Sequence, residues 1–439
     1  MDPRLLPYAR RSAPRYTSYP SAAHFSAGVS AAAYGQWLAE LAPDSTLSLY
    51  LHVPYCRHIC WYCDCTTYPM RRADTIADFV EVLRREIDLV AEATPAHRVC
   101  DIHWGGGTPN ILDPDQFTRA WRHLAFWFDV DHLARHVVEI DPRTLTPEHV
   151  AAYRAAGVTR ASLGVQDFSP QVLRNVGRDQ TVAAVERSVA WLRASGIGQI
   201  GMDLMYGLAG QTEEDVIASV RNAAALAPQQ IAVFGYAHMP LFKKRQRLID
   251  ATLLPSVEAC FDQAAAAREE LVRLGYLPIG FDHFCLPGDQ PELSSERRAL
   301  LRTFHTADQT DAILGIGPSA ISSLPQGYAQ NHHQPGVWAR AIQEERLPVI
   351  RGHRCSPEDR QRQAIIEHLM CDFAVDLHEA GGASAFANEL AALAPLAADG
   401  LVMIEGDLVT IPPAARPFCR LAAQAFDTYR NLPHASGAI

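Results

Sequence analysis

Three cysteines, Cys56, Cys60 and Cys63, share one short stretch that reads Cys-Arg-His-Ile-Cys-Trp-Tyr-Cys-Asp-Cys up to Cys65. Thiolates spaced C-x3-C-x2-C on one loop can hold three irons of a [4Fe-4S] cube and leave the fourth iron open. An open position is what distinguishes a reactive metal site from a closed structural one. The competing reading is a structural zinc knuckle. Such a knuckle normally draws a second ligand pair from a short distance downstream, and here the next cysteine, Cys100, stands alone beside a predicted strand. Cys65 would lie beside Cys63 on an extended segment, so it is expected near the metal but not on it.

Further residues suited to ligand binding recur at the predicted ends of strands. Glycines in Trp104-Gly105-Gly106-Gly107-Thr108-Pro109-Asn110 allow backbone groups to approach a ligand closely. Glu139 in Val-Val-Glu-Ile-Asp-Pro, Gln166 in Leu-Gly-Val-Gln-Asp-Phe and Asp203 in Ile-Gly-Met-Asp-Leu-Met-Tyr follow in order. A single polar residue at a strand end can be a solvated cap, whereas several in series after a cysteine loop point to one site.

Strands alternating with helices would position these groups. A strand is expected at 46–53, then a helix at 74–94, a strand at 99–104, a helix at 114–127, a strand at 136–141 and a helix at 147–156. Strands at 159–164, 198–205 and 230–235 follow, separated by helices at 180–195 and 213–226. Such alternation implies right-handed crossovers and a parallel sheet. Six units are too few for an eightfold barrel, so the expected fold is α/β, an open partial (β/α)6 barrel with its chemistry at the C-terminal strand ends. The expected organisation is an N-terminal arm at 1–45, the barrel with extensions at 46–350, and a mainly helical, winged-helix-like C-terminal domain at 351–439. A long helix at 256–274 and apolar runs at 277–281 and 312–317 are expected to cover the barrel mouth. Helices at 357–371 and 383–393 and a hairpin at 400–411 would build the last domain.

The chain of 439 residues, 48% hydrophobic and 20% charged, is long enough for a large core. No apolar run approaches membrane-spanning length and the N-terminus lacks a signal-peptide core. Ten cysteines, four of them in one loop, suit a reducing compartment. A cytoplasmic protein is therefore expected, with no membrane partner. The net charge of −10 argues against nonspecific nucleic-acid binding.

The cysteine spacing after a first strand resembles that of the radical S-adenosylmethionine (radical SAM) enzymes, in which the open iron chelates SAM and an electron from the cluster releases a 5'-deoxyadenosyl radical. More specifically, the sequence resembles the oxygen-independent coproporphyrinogen III oxidase family. The likeness rests on Pro14-Arg15-Tyr16-Thr17-Ser18-Tyr19-Pro20, the cysteine loop with its extra Cys65, Gly105-Gly106-Gly107-Thr108-Pro109, Gly164-Val165-Gln166-Asp167-Phe168, Asp203-Leu204-Met205-Tyr206-Gly207-Leu208, Tyr236-Ala237-His238, Tyr328-Ala329-Gln330-Asn331 and Phe426-Asp427-Thr428-Tyr429. The resemblance implies a [4Fe-4S] cluster on Cys56, Cys60 and Cys63, and two SAM molecules. Tyr50, Gly106 and Glu139 would contact the cluster-bound SAM. Tyr62, Gly107, Thr108, Gln166, Arg178, Asp203, Ala237 and Ile321 would contact the second. It further implies oxidative decarboxylation of two propionates of coproporphyrinogen III to vinyl groups, an electron donor such as flavodoxin or ferredoxin, and a monomer. Arg10, Arg11, Arg15, Lys243, Lys244 and Arg245 are candidate partners for substrate carboxylates.

Two departures bear on the substrate. Asp64-Cys65-Thr66 stands where the family reads Gly-Cys-Asn, and Leu301-Arg302-Thr303-Phe304-His305-Thr306-Ala307-Asp308 lacks the family's Gln-Gly-Tyr core. Two other readings therefore stay open. One is a radical SAM methyltransferase, cyclopropane-forming or porphyrin-modifying enzyme. The other is a haem-binding or haem-transfer protein, although relatives of that kind generally carry Phe where Cys65 stands.

Overall fold

The computed structural model describes residues 5–288 and 310–429; the segment around Phe304 lies outside the described residues. Six parallel strands form the centre: β1 (Thr46–Val53), β2 (Arg98–Gly106), β3 (Asp129–Ile140), β4 (Arg160–Gln166), β5 (Gln199–Tyr206) and β6 (Gln230–Gly235). Leu47, Leu49, Leu51 and Val53 of β1 are buried, as are Ser48 and His52 on its opposite face. Burial on both faces is what helices packed over a parallel sheet require. Ser48 is satisfied by Asp101 at 2.8 Å, and Asp101 in turn by Arg135 at 2.7 Å.

The crossover helices follow from amphipathic spacing. Helix Ala73–Ala93 buries Ile76, Phe79, Val80, Leu83, Ile87 and Val90, a stripe at helical period. Helices Pro114–Trp127 and Glu213–Ala225 open with capping boxes, Asp113 with Gln116 and Thr212 with Asp215. The expected helix at 180–195 is Val182–Ala194, preceded by a separate turn of helix at Pro170–Asn175.

The extensions behave differently from expectation. The runs at 277–281 and 312–317 do not cover the mouth; they join the sheet. β7 (Leu277–Ile279) and β8 (His283–Cys285) form a hairpin beside β6. β9 (Ala312–Ile316) pairs parallel with β1, Leu49 opposite Leu314. From β9 the sheet continues antiparallel through β10 (Ile321–Leu324), β11 (Gly327–Asn331) and β12 (Val349–Arg354). The physical reason is burial: Leu314 and Ile316 are both solvent-free, and Gly315 lets the Ile321 backbone approach to 2.6 Å of where a Cβ would stand. The twelve strands form one open sheet in the order β12-β11-β10-β9-β1-β2-β3-β4-β5-β6-β8-β7. Because β12 runs to Arg354, the barrel sheet extends past the expected boundary at 350.

The C-terminal region has its own core. Helices Pro357–Cys371, Ala387–Ala398 and Cys419–Ala425 pack with a small sheet of β13 (Ala374–Asp376), β14 (Met403–Glu405) and β15 (Leu408–Thr410). The arm is divided between the two cores: Ala9, Ala13, Tyr16 and Tyr19 are buried in this cluster, and Val29, Tyr34, Trp37, Leu38 and Leu41 in the core of the barrel. Tyr16 donates to Asp427 at 3.0 Å, and the Tyr19 hydroxyl lies 2.9 Å from Thr428.

Candidate active site

Parallel register places the C-terminal ends of β1 to β6 side by side. Val53 stands opposite Gly106, Glu139 opposite Ser162, and Gly164 opposite Asp203. A cavity of about 700 Å³ opens there, within the usual range of roughly 300–1,000 Å³ for ligand sites. It is lined by Cys56, Cys60, Cys63 and Cys65 and by Tyr50, Tyr62, Gly106, Gly107, Thr108, Glu139, Gln166, Arg178, Asp203 and Ala237. Of the residues expected at the cofactor, Ile321 is set apart. It lies on β10, opposite Gln330, and does not line this cavity.

The cysteine loop is fastened at several points. Met70 N–H donates to the Cys56 carbonyl at 2.9 Å and Trp61 N–H to Val176 at 2.9 Å. Gly177, with φ +68, leaves room for the Trp61 indole, which a Cβ would meet at 2.6 Å. Cys56 Sγ lies 3.0 Å from the Thr108 hydroxyl. Cys60 Sγ accepts from Arg178 at 3.3 Å and Arg143 at 3.7 Å. Asp141 holds Arg143 at 2.6 Å and sits 3.6 Å from Arg178.

The donor set suits an iron-sulfur cluster. Thiols must deprotonate to bind metal, and burial, with the neighbouring Cys63, Asp141 and Cys60, pushes Cys56 up to about 12 against the Thr108 hydrogen bond. Two guanidiniums at Cys60 supply the positive charge that thiolates need in a buried place. Hydrogen bonding from Cys65 draws Cys63 down to about 7, which gives exposed Cys65 a part beside the ligands. Among the described residues no three His, Cys, Asp or Glu side chains converge on a single ion; the three thiols instead face one wide space.

Around the rest of the cavity, polar groups are held in place. Glu139 accepts from Gly106 N–H at 3.1 Å and pairs with His103 Nε2 at 2.9 Å. The Tyr50 hydroxyl lies 3.0 Å from His52 Nδ1, and His52 Nε2 lies 3.2 Å from the Thr66 carbonyl. Gly106, at φ +104, is the only residue type that fits there, since a Cβ would stand 2.5 Å from the His52 ring. Gln166, the last residue of β4, takes a left-handed φ of +73 beside a register shift in the pairing with β5. Burial, with Glu139 nearby, raises Asp203 to about 7.

Of the candidate cations only Arg15 lines the cavity. It pairs with Asp282 at 3.1 Å and stacks over Phe234 at 4.4 Å. Arg10 pairs with Glu258, and Arg11 lies over Tyr8. Lys243 donates to the Asp64 carbonyl and Arg245 to the Thr67 carbonyl at 3.1 Å, so these two brace the cysteine loop; Lys244 is exposed outside the cavity. Sequence reasoning missed His52, Asp141 and Arg143. The signal available was position, since Asp141 and Arg143 follow Glu139 directly past the end of β3.

A three-thiol loop after the first strand, a glycine-lined second strand end and a partial parallel barrel together define a radical SAM enzyme, and residues 50–223 match the family model described as the Radical SAM superfamily. The likeness is not confined to that region. The chain is 44% identical over 430 residues to the oxygen-independent coproporphyrinogen III oxidase of Bradyrhizobium diazoefficiens, covering 96% of each. It is 34% identical over 440 residues to that of Escherichia coli, covering 98% of this chain and 95% of the relative. The solved structure of coproporphyrinogen III oxidase (HemN) from Escherichia coli, a radical SAM enzyme, matches with a TM-score of 0.90 at 32% identity, covering 98% of this chain and 99% of that one. The chain belongs to the oxygen-independent coproporphyrinogen III oxidase family. It is an oxidoreductase whose cofactors are a [4Fe-4S] cluster and SAM.

Proposed function

We propose that this chain oxidatively decarboxylates two propionate side chains of coproporphyrinogen III to vinyl groups, giving protoporphyrinogen IX in haem biosynthesis. The observation that carries this reading is likeness over nearly the whole chain at 44% identity, supported by a cavity lined by every expected site residue except Ile321. Each turnover removes one hydrogen atom from a propionate β-carbon, releases CO2 and passes one electron to an acceptor. When bound, the cluster supplies one-electron cleavage of the SAM sulfonium and so the means of abstracting that hydrogen.

The chain's own residues hold and orient. Cys56, Cys60 and Cys63 are the cluster ligands in this reading. Tyr50, Gly106 and Glu139 serve the first SAM; Tyr62, Gly107, Thr108, Gln166, Arg178, Asp203 and Ala237 serve a second. Arg178 suits a carboxylate and Asp203 a ribose hydroxyl by their hydrogen-bonding capacity. Arg15, which lines the cavity, would meet a substrate carboxylate. The electron donor is a flavodoxin or ferredoxin, and the protein works as a cytoplasmic monomer; no helix among the described residues is long and apolar enough to cross a membrane.

The test is anaerobic incubation of the reconstituted protein with coproporphyrinogen III, SAM and dithionite, with mass spectrometry of the products. Two equivalents of CO2 per protoporphyrinogen are expected, and Cys60→Ala should abolish both SAM cleavage and decarboxylation. SAM cleavage by the wild type without any vinyl product would overturn the assignment.

A further inference from the structure

The segment that follows β6 carries an exposed apolar and basic surface that the reaction does not use. Leu241 is 78% exposed, Phe242 54% and Leu248 60%. Large apolar side chains grouped at this exposure mark interaction sites more often than plain surface. Lys244 and Arg247 stand exposed among them, and neither pairs with a carboxylate among the described residues. Charge of this sign is notable on a chain whose net charge is −10.

The segment is also fixed against the cysteine loop. Gln246, fully buried, donates to the Tyr62 and Ala237 carbonyls, each at 3.1 Å. Lys243 and Arg245 reach the Asp64 and Thr67 carbonyls. Asp64 and Cys65 of that loop are themselves exposed. Arg57, between Cys56 and Cys60, and Arg71, after the three thiols in the chain, are exposed as well. A protein seated on Leu241, Phe242 and Leu248 would therefore bring its redox group next to the cluster thiols.

We propose that Leu241, Phe242, Lys244, Arg247 and Leu248 form the docking surface for a small acidic one-electron carrier protein. This rests on the reading above that the enzyme draws its electron from such a carrier. Apolar anchors inside a basic rim fit a weak, transient interface, in which the charges speed encounter and the apolar contacts set the dwell. An anionic membrane could also attract apolar and basic side chains, but nothing in that role would call for adjacency to the cysteine loop.

The experiment uses reconstituted holoenzyme and reduced flavodoxin, following cluster reduction by stopped-flow and electron paramagnetic resonance. The double variant Lys244→Glu/Arg247→Glu should slow reduction by flavodoxin about tenfold and flatten its dependence on ionic strength. Leu241→Ser/Phe242→Ser should slow it without changing the salt dependence. Both variants should keep wild-type rates of cluster reduction and substrate decarboxylation with dithionite. Unchanged reduction by flavodoxin in both would overturn the proposal. So would an equal loss with dithionite, which would assign the surface to loop support, or a loss confined to binding of phosphatidylglycerol vesicles. Failure of the wild type to decarboxylate with dithionite would count against the enzymatic reading, not against this surface.

Discussion

Gly106→Ala tests how the second strand end, His52 and the cysteine loop are coupled. At φ +104 a side chain is strained, at a cost of about 1–3 kcal/mol. The added Cβ would stand 2.5 Å from His52 Cε1 and Nδ1, so the ring must move. His52 then loses its contacts with the Tyr50 hydroxyl at 3.0 Å and the Thr66 carbonyl at 3.2 Å, about 1 kcal/mol each. The sum is about 3–5 kcal/mol, and it falls on Tyr50 and on the end of the cysteine loop. Expressed in binding, it corresponds to SAM held on the order of 100- to 5,000-fold more weakly. Gly157→Ala is the control: φ is +76 but, among the described residues and beyond its chain neighbours, no atom lies within 4 Å of the added Cβ, so only strain of about 1–2 kcal/mol is added, at a residue that does not line the cavity. Anaerobic equilibrium dialysis of SAM, with iron content and thermal midpoint measured alongside, reads both. If Gly106→Ala binds SAM within a few-fold of wild type while its thermal midpoint drops no further than that of Gly157→Ala, the coupling through His52 is wrong.

Three further outcomes are expected. Burial lowers His136 to about 3 and Trp104 Nε1 donates to its Nε2 at 2.9 Å, so the fold requires the neutral ring. Its contribution is complete above pH 6.5 and is lost as pH falls toward 3, because only the unfolded chain takes up the proton, by up to about 5 kcal/mol. His136→Gln should flatten that acid limb in thermal scans between pH 6.5 and 4, and an unchanged limb would exclude His136 as its source. Glu86 is buried and accepts from Gly317 N–H at 2.7 Å, Asn331 at 2.6 Å and Trp338 at 2.9 Å. Glu86→Leu leaves the buried Gly317 and Trp338 N–H groups unpaired, while Asn331 keeps the Gly317 carbonyl at 2.9 Å, and should cost about 3–5 kcal/mol, read as a lower urea midpoint; wild-type stability would mean those donors find other partners. Arg143→Gln removes a cationic donor from Cys60 and should make the cluster's midpoint potential more negative by roughly 40 mV, the one-electron equivalent of about 1 kcal/mol. Redox titration monitored by electron paramagnetic resonance checks this, and no shift at unchanged iron content would sink it.

The sequence alone determined whatever depends on neighbours along the chain. The spacing of Cys56, Cys60 and Cys63 confines three thiols to one loop whatever the rest of the fold does. The period of apolar residues placed β1 to β6 and their helices, and strand ends carrying Glu139, Gln166 and Asp203 had to share one face because parallel crossovers all return to it. Tertiary structure decided what depends on partners far apart in sequence. Nothing local marks Ala312–Ile316 as the neighbour of β1 rather than a cover over the mouth; the choice follows from which apolar faces bury together. The same holds for Tyr16, whose partner Asp427 lies 411 residues away. It holds too for Lys243 and Arg245, which cap carbonyls of the cysteine loop instead of facing substrate. Arg143 and Arg178 come to one sulfur, Cys60, only because the ends of β3 and β4 stand beside the loop. Charge on a side chain is written in the sequence, but the atom it serves is set by packing.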